Sequence, residues 1–324
     1  MKIERRKFVG TALSTLVLTL PGWAATADRK KMVRVIVAYG AGGASDTIAR
    51  YVAEKITNKV GTQVVVENRP GADGNIAAEA VARTSSADDY TLLVSGPSTH
   101  AANISMYKKL PFDPETDFRP MTTLVNTPYI LVVNKDRVKE KTVQQFVATA
   151  KEKEKSTFFA SANVGGRIAG ELFRLKSGID AVNVPYKASS QAMTDLIGGQ
   201  FDYYFCDSVT AIPQIRAGKI NALAVSSIDR LDSLPDVPSL HELGYKNFDV
   251  SSWIAIWSAA VVPEDVSNRM AGWIAEVLET EEARKFFSDK GMQVLPGSPE
   301  KLEAIQKRDT VEWGKIIRVA GMQK

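Results

Sequence analysis

The stretch VRVIVAYGAGGASDTIAR, residues 33–50, constrains this chain more than any other. A β-branched run (Val33, Val35, Ile36, Val37) breaks into Gly40, Gly42 and Gly43. From Ser45 and Asp46 onward, apolar residues return at helical spacing (Ile48, Ala49, Val52, Ile56). The pattern predicts strand, glycine loop, helix. Glycine lets the backbone take φ > 0 and lets a ligand approach, while a helix start offers unpaired N–H groups at the positive end of its dipole. That geometry suits a carboxylate as readily as a phosphate, although many such turns are only tight turns. GAGGAS lacks both GxGxxG spacing and a following GK[ST], so it matches neither a dinucleotide fingerprint nor a P-loop.

The same unit recurs. Residues 63–67 (QVVVE) read as a strand that enters a turn of Gly71, Ala72, Asp73 and Gly74, with Asn75 placed to cap the following helix. A third strand over residues 90–94 is followed by Ser95, Ser98, Thr99 and His100 on its exit loop. A lone histidine more often packs as a satisfied structural residue than it binds, but this one stands where ligands are met. Successive strand-loop-helix units argue for a parallel sheet, with the loops at its carboxyl edge, where open α/β folds bind ligands.

A polar, proline-punctuated connector spans residues 107–121. Residues 127–136, beginning at Thr127, form the next strand, followed by a short helix at 143–150 and a charged run at 151–155 on a solvated helix end. In FFASANVGGRIAGELFRL, Ser161, Asn163, Gly165, Gly166 and Arg167 occupy another turn. A cation at a helix start opposes the dipole; a bound carboxylate would relieve it through a bidentate contact, and a solvated surface arginine is the plain alternative. Strands near 181–184, 201–206 and 222–226 alternate with two helices. Tyr186 and Asp207 fall at strand exits, as ligand contacts or as a packing aromatic and an N-cap. Helices at 266–278, 281–290 and 299–317 are expected to pack on the first sheet.

With 324 residues, 44% of them hydrophobic, the chain can bury one large or two ordinary α/β cores. Cys206 is the single cysteine, which excludes an intrachain disulfide and a cysteine zinc cluster. Two histidines, His100 and His241, leave Ser/His and zinc constellations scarce, so neither a metal nor a cofactor is expected. Residues 1–27 read as an export signal: Lys2, Arg5, Arg6 and Lys7, an apolar stretch, then a small-residue cleavage pattern at Ala25 and Ala27. ERRKFVG also fits a twin-arginine signal, and both routes lead to the periplasm. The signal carries four positive charges and one negative, so its removal takes the chain from +4 to about +1. No basic face remains for nucleic acid.

In order along the chain, AGGASDTIAR, VVVENRPGADGNIAAEAVA, DDYTLLVSGPSTHAANISMYKKLPFDPETDF, AGELF, VPYKASSQAMTDLIGGQFDYYF and VSSWIAIWSAAVVP together resemble the Bug receptors. These are the periplasmic solute-binding proteins of tripartite tricarboxylate transporters. The resemblance implies an α/β, two-domain periplasmic binding protein of the type II, Venus flytrap kind, with parallel and mixed sheets flanked by helices. It implies a monomer that holds a small organic anion, a mono- or dicarboxylate, and delivers it to membrane subunits. Residues 28–127 plus 228–324 would form one domain and 128–227 the other, with crossings near 126–129 and 226–229. By motif position, the loops from Gly42 and Gly43 to Ser45 and Asp46, and from Gly71 to Asn75, would hold one carboxylate. The second domain would contribute Ser161 to Arg167, Tyr186 and Asp207. Asp73 stands where the family commonly has glycine, adding negative charge that would weaken anion binding or select a ligand with a donor group. A ligand-presenting partner of a membrane sensor kinase and an exported hydrolase are the alternatives.

Overall fold

The computed structural model describes residues 32–85, 90–152 and 156–324. The export signal expected over residues 1–27 lies outside them. The elements run β1 (Val33–Val37), α1 (Ala44–Val60), β2 (Val64–Asn68), α2 (Asn75–Ala82) and β3 (Tyr90–Ser95), then a wide helical turn at Ser98–Ala102 leading into α3 (Asn103–Met106). After β4 (Phe118–Asn134) come α4 (Val143–Glu152), β5 (Thr157–Ser161), α5 (Val164–Ser177), β6 (Ala181–Pro185), α6 (Ser189–Ile197), β7 (Tyr203–Asp207), α7 (Ser208–Arg216) and β8 (Ile220–Val225). The chain closes with β9 (Ser251–Ala259), α8 (Glu264–Leu278), α9 (Glu281–Ser288), β10 (Gln293–Val294) and α10 (Pro299–Val319).

β1 pairs in parallel with β2 and β3, so the first loops leave from one edge of the sheet. Nearly all of β1 is buried, as a parallel strand covered on both faces requires. The first turn of α1 starts at an extended Gly43, and its last turn closes on a left-handed Gly61 (φ 65°).

β4 joins the two halves. The connector read over residues 107–121 overlaps its start, because the strand begins at Phe118 rather than 127 and runs 17 residues. Pro120 and Pro128 disguise it: a proline removes a ladder donor, and the strand absorbs the mismatch by register shifts at 120–122 and 123–125. Up to Pro128 its partner is β9; from Tyr129 onward the partners are β7 and β8.

Side-chain alternation then divides the packing. One core, including Val35, Ile48, Leu93, Ile256 and Phe287, fills the first sheet and its helices. On the second sheet Tyr203 and Phe205 face a core with Phe159 and Phe173, while Tyr204 and Cys206 face a core with Ile130 and Met193. Leu231, Leu234, Phe248 and Val250 also pack into these second-sheet cores. The chain therefore returns to the first sheet at Ser251, later than the crossing expected near 226–229. Leu302 of α10 enters the first core, but Trp313 and Ile317 enter a second-sheet core. The last helix straddles both halves, whereas the sequence reading expects it to pack on the first sheet.

Candidate functional site

Four helix N-termini converge on one gap between the halves. Its wall includes Gly43 and Ala44 at the start of α1, Asn163 before α5, Ala188 and Ser189 at α6, and Asp207 before α7. The gap measures about 460 Å³, part of it open to solvent. Its floor is the pair of crossing strands, through Thr127 and Tyr129 of β4 and Ser252 and Ile254 of β9. The approach is close: a Cβ on Gly40 would lie 2.6 Å from Ala188 Cβ, so only glycine lets the first loop meet α6 at this distance.

The termini are not equivalent. Asn163 Oδ1 caps α5 by accepting from the Gly166 N–H at 2.8 Å, and it also accepts from the Tyr129 hydroxyl at 2.8 Å. Gly165 permits this, since a Cβ there would stand 2.3 Å from Tyr129 Oη. Asp207 caps α7, accepting from the Thr210 N–H and hydroxyl, both at 3.0 Å. Burial raises the Asp207 carboxyl above the usual range, with hydrogen bonds from Ser189 and Thr210 opposing. Among the described residues no side chain caps α1 or α6. Their first N–H groups are the unmatched donors, and they carry the positive ends of two helix dipoles.

Asp46 is buried and supports the first loop from behind. One carboxylate oxygen accepts from the Gly42 N–H and the other from Arg50 Nε. Burial opposes its ionisation, yet the bonds from Arg50 and Gly42 prevail and hold the carboxyl below the ordinary value.

Of the residues singled out from sequence, Gly43, Ser45, Thr127, Asn163 and Asp207 line the gap. The second glycine loop does not. Ala72 and Asp73 take left-handed φ values of 47° and 54° between Gly71 and Gly74. The Asp73 carboxylate turns to the Tyr107 hydroxyl (2.6 Å) and the Lys324 ammonium, so the negative charge expected to disturb an anion is already matched. Asn75 Oδ1 accepts from Asn103 Nδ2 at 2.6 Å. Ser98 and Ser95 lie near the Tyr39 hydroxyl, which burial pushes up to about 12. They stand behind the gap, with Tyr39 on its wall.

His100 is fully buried, stacked on Trp257 at 3.8 Å, and burial drives its imidazole down to about 3. It is a neutral packing residue, not a wall residue. The Tyr186 hydroxyl donates to Asp195 at 2.8 Å, and Ser161 is buried at the end of β5, off the gap wall, its carbonyl accepting from the Tyr186 N–H. Arg167 lies half-buried in the first turn of α5, off the gap wall; its Nε is shielded from water and has no acceptor among the described residues.

Tyr39, Tyr129, Ser189 and Ser252 are wall residues that sequence reasoning missed. The strand alternation that puts Thr127 on the floor also puts Tyr129 there, and that signal was available. Among the described residues no cluster of acidic, histidine or cysteine side chains suits a metal ion, and no helix is long and apolar enough to cross a membrane.

Residues 48–322 match the family described as tripartite tricarboxylate transporter family receptor. A Pseudomonas sp. (strain P51) protein described as a UPF0065 protein in the tcbD-tcbE intergenic region is 31% identical, over 97% of this chain and 94% of its own length. The fold is similar to that of Rpa4515 from R. palustris with adipate: TM-score 0.86, 27% identity, 90% of this chain and 97% of that one. The periplasmic binding protein BugD gives 0.84 at 29% identity, covering 90% and 98%. MatC from Rhodopseudomonas palustris with bound malate gives 0.81 at 27% identity, covering 88% and 98%. Two of these solved structures hold a small dicarboxylate, adipate or malate, and the fold they share with the periplasmic binding protein BugD is the one described above. The chain belongs to the tripartite tricarboxylate transporter receptor family of periplasmic solute-binding proteins.

Proposed function

We propose that this receptor captures a small dicarboxylate in the gap and presents it, as a monomer, to the membrane subunits of its transporter. The observation that carries the reading is the convergence of two uncapped helix starts, α1 and α6, from opposite sides of one gap. Stripping water from a carboxylate is costly unless donors replace it, and these N–H groups are donors without other partners among the described residues. The dicarboxylates bound in two similar structures, adipate and malate, suit such a site.

Arg167, one turn into α5 beyond the wall residue Asn163, is assigned to a second carboxylate that reaches past the gap wall. A guanidinium in the first turn of a helix, shielded at Nε and without an acceptor among the described residues, lacks an anion. Asp207, whose charge is disfavoured by burial, leaves room for one hydroxyl or protonated group nearby. The lobes in this reading divide at 128/129 and 250/251, and closure follows from higher affinity of the closed form for ligand. The export signal would bring the chain to the periplasm.

A thermal-shift panel of mono-, di- and tricarboxylates, amino acids and amides tests this. Dicarboxylates should raise the melting temperature in proportion to the logarithm of their concentration, and Arg167→Ala should weaken the best of them by about tenfold or more while leaving the ligand-free melt in place. A panel in which no carboxylate stabilises the protein overturns the reading.

A further inference from the structure

The crossing strands have two faces, and each face floors a cavity. The register sets Asn126 of β4 against Trp253 of β9 and Thr127 against Ser252, and alternation sends neighbouring pairs to opposite sides of the sheet. Thr127 and Ser252 lie under the front gap, whereas Asn126 and Trp253 border a rear cavity of about 1210 Å³, open in part to solvent. The front is drawn together, with Gly40 closely approached by Ala188, while the rear stands wide.

Lobes that turn about strands lying between these cavities cannot narrow both at once. A rotation that opens the front brings together the groups on either side of the rear. Apolar side chains are prominent among them. Leu295, 41% exposed, and the partly exposed Ile305 stand on the first-lobe side, and the partly exposed Leu172 of α5 on the second. The first half of α10 is held to the first lobe, since Leu302 enters the first core and Asp309 accepts from Trp253 Nε1 at 2.6 Å. Leu172 therefore moves against Leu295 and Ile305, and their meeting removes apolar surface from water.

We propose that the rear cavity is the counter-interface of the hinge: it shuts as the front opens, and burial of Leu172, Leu295 and Ile305 in that open form opposes closure and limits how tightly the front holds its ligand. Apparent affinity is reduced by the fraction of molecules that occupy the binding-competent form. A side chain too large for the shut rear cavity biases the free protein towards closure without touching the ligand. The effect on affinity rests on the dicarboxylate reading; the motion does not.

Leu295→Trp and Leu172→Trp place a wedge from each lobe in turn, and Val311→Trp, at an exposed position of α10 outside the cavity, is the control. Nitroxide labels at Glu54→Cys on α1 and Thr194→Cys on α6, in a Cys206→Ala background, report the interlobe distance by double electron–electron resonance. In the ligand-free protein both wedges should shorten that distance, and the control should leave it unmoved. Calorimetry with the best carboxylate of the panel should show affinity raised about threefold or more by either wedge. A distance left unmoved by either wedge variant that folds, or shortened equally by the control, overturns the counter-interface whatever the front gap holds. Shortened distances with unchanged affinity overturn its control of binding. Should no carboxylate bind the wild type, the dicarboxylate reading fails and the distances still decide the motion.

Discussion

Asp46 Oδ2 accepts from the Gly42 backbone N–H at 3.0 Å, so the carboxylate of the first glycine loop is spent on its own backbone. With Arg50 Nε on the other oxygen at 2.9 Å, the side chain fixes the loop that carries the uncapped start of α1. In the proposed site, an acidic residue thus stands beside the carboxylate with its charge already matched.

Asp46→Ala should therefore cost both stability and binding. Losing a buried, charge-assisted pair of hydrogen bonds should lower the unfolding free energy by about 1–3 kcal/mol, read by urea denaturation, and the loosened loop should weaken the carboxylate in calorimetry. Unchanged values for both would contradict this role.

Asp73 should behave in the opposite way. Its φ of 54° suits glycine, so Asp73→Gly trades relief of backbone strain against the lost contacts with Tyr107 and Lys324 and should change stability by less than about 1 kcal/mol. Asp73→Val, β-branched in a left-handed position, should cost about 1–3 kcal/mol. Neither should alter carboxylate affinity by more than about twofold, because the second loop lies off the gap wall. A large gain in affinity for Asp73→Gly would show that its charge does face the ligand.

His100 gives the protein an acid-sensitive core. Its folded value of about 3 lies below the ordinary 6.5, so below pH 6.5 the unfolded chain binds a proton that the native state refuses. Stability is complete above that pH and falls as the medium is acidified, by up to about 1.4 kcal/mol per pH unit. Between pH 6.5 and 5, above the carboxylate range, His100→Phe should flatten the dependence while keeping a ring against Trp257. Parallel pH profiles of wild type and variant would contradict the assignment.

Gly40 tests the meeting of the lobes. A side chain there meets Ala188 at 2.6 Å, so Gly40→Val should hold the lobes apart, weakening the carboxylate by about tenfold or more with little change in the ligand-free melt. Full affinity in this variant would show that binding does not require that approach.

The local plan of the molecule was legible because it is written in short-range patterns. The glycine loop between β1 and α1, the turn before α5 and the ends of α8 and α9 all follow from periodicity and caps within a few residues. The first half of β4 was not, since Pro120 and two register shifts break its alternation. The return at Ser251 was hidden because Leu231, Leu234 and Phe248 reach their cores from irregular chain without a repeating spacing. At the site, residues at loop starts were found, whereas Ser189, Ser252 and Tyr39 become wall residues only when distant elements converge. His100 and the second glycine loop stand at strand exits, as candidates should, but neither is on the gap wall, where Tyr39 stands instead.

The most direct test is a crystal structure grown with the dicarboxylate that stabilises the protein best. One carboxylate should lie about 3 Å from the first N–H groups of α1 and α6, with the other at Arg167. A carboxylate bound elsewhere, or one held without backbone donors from either helix start, would contradict the account.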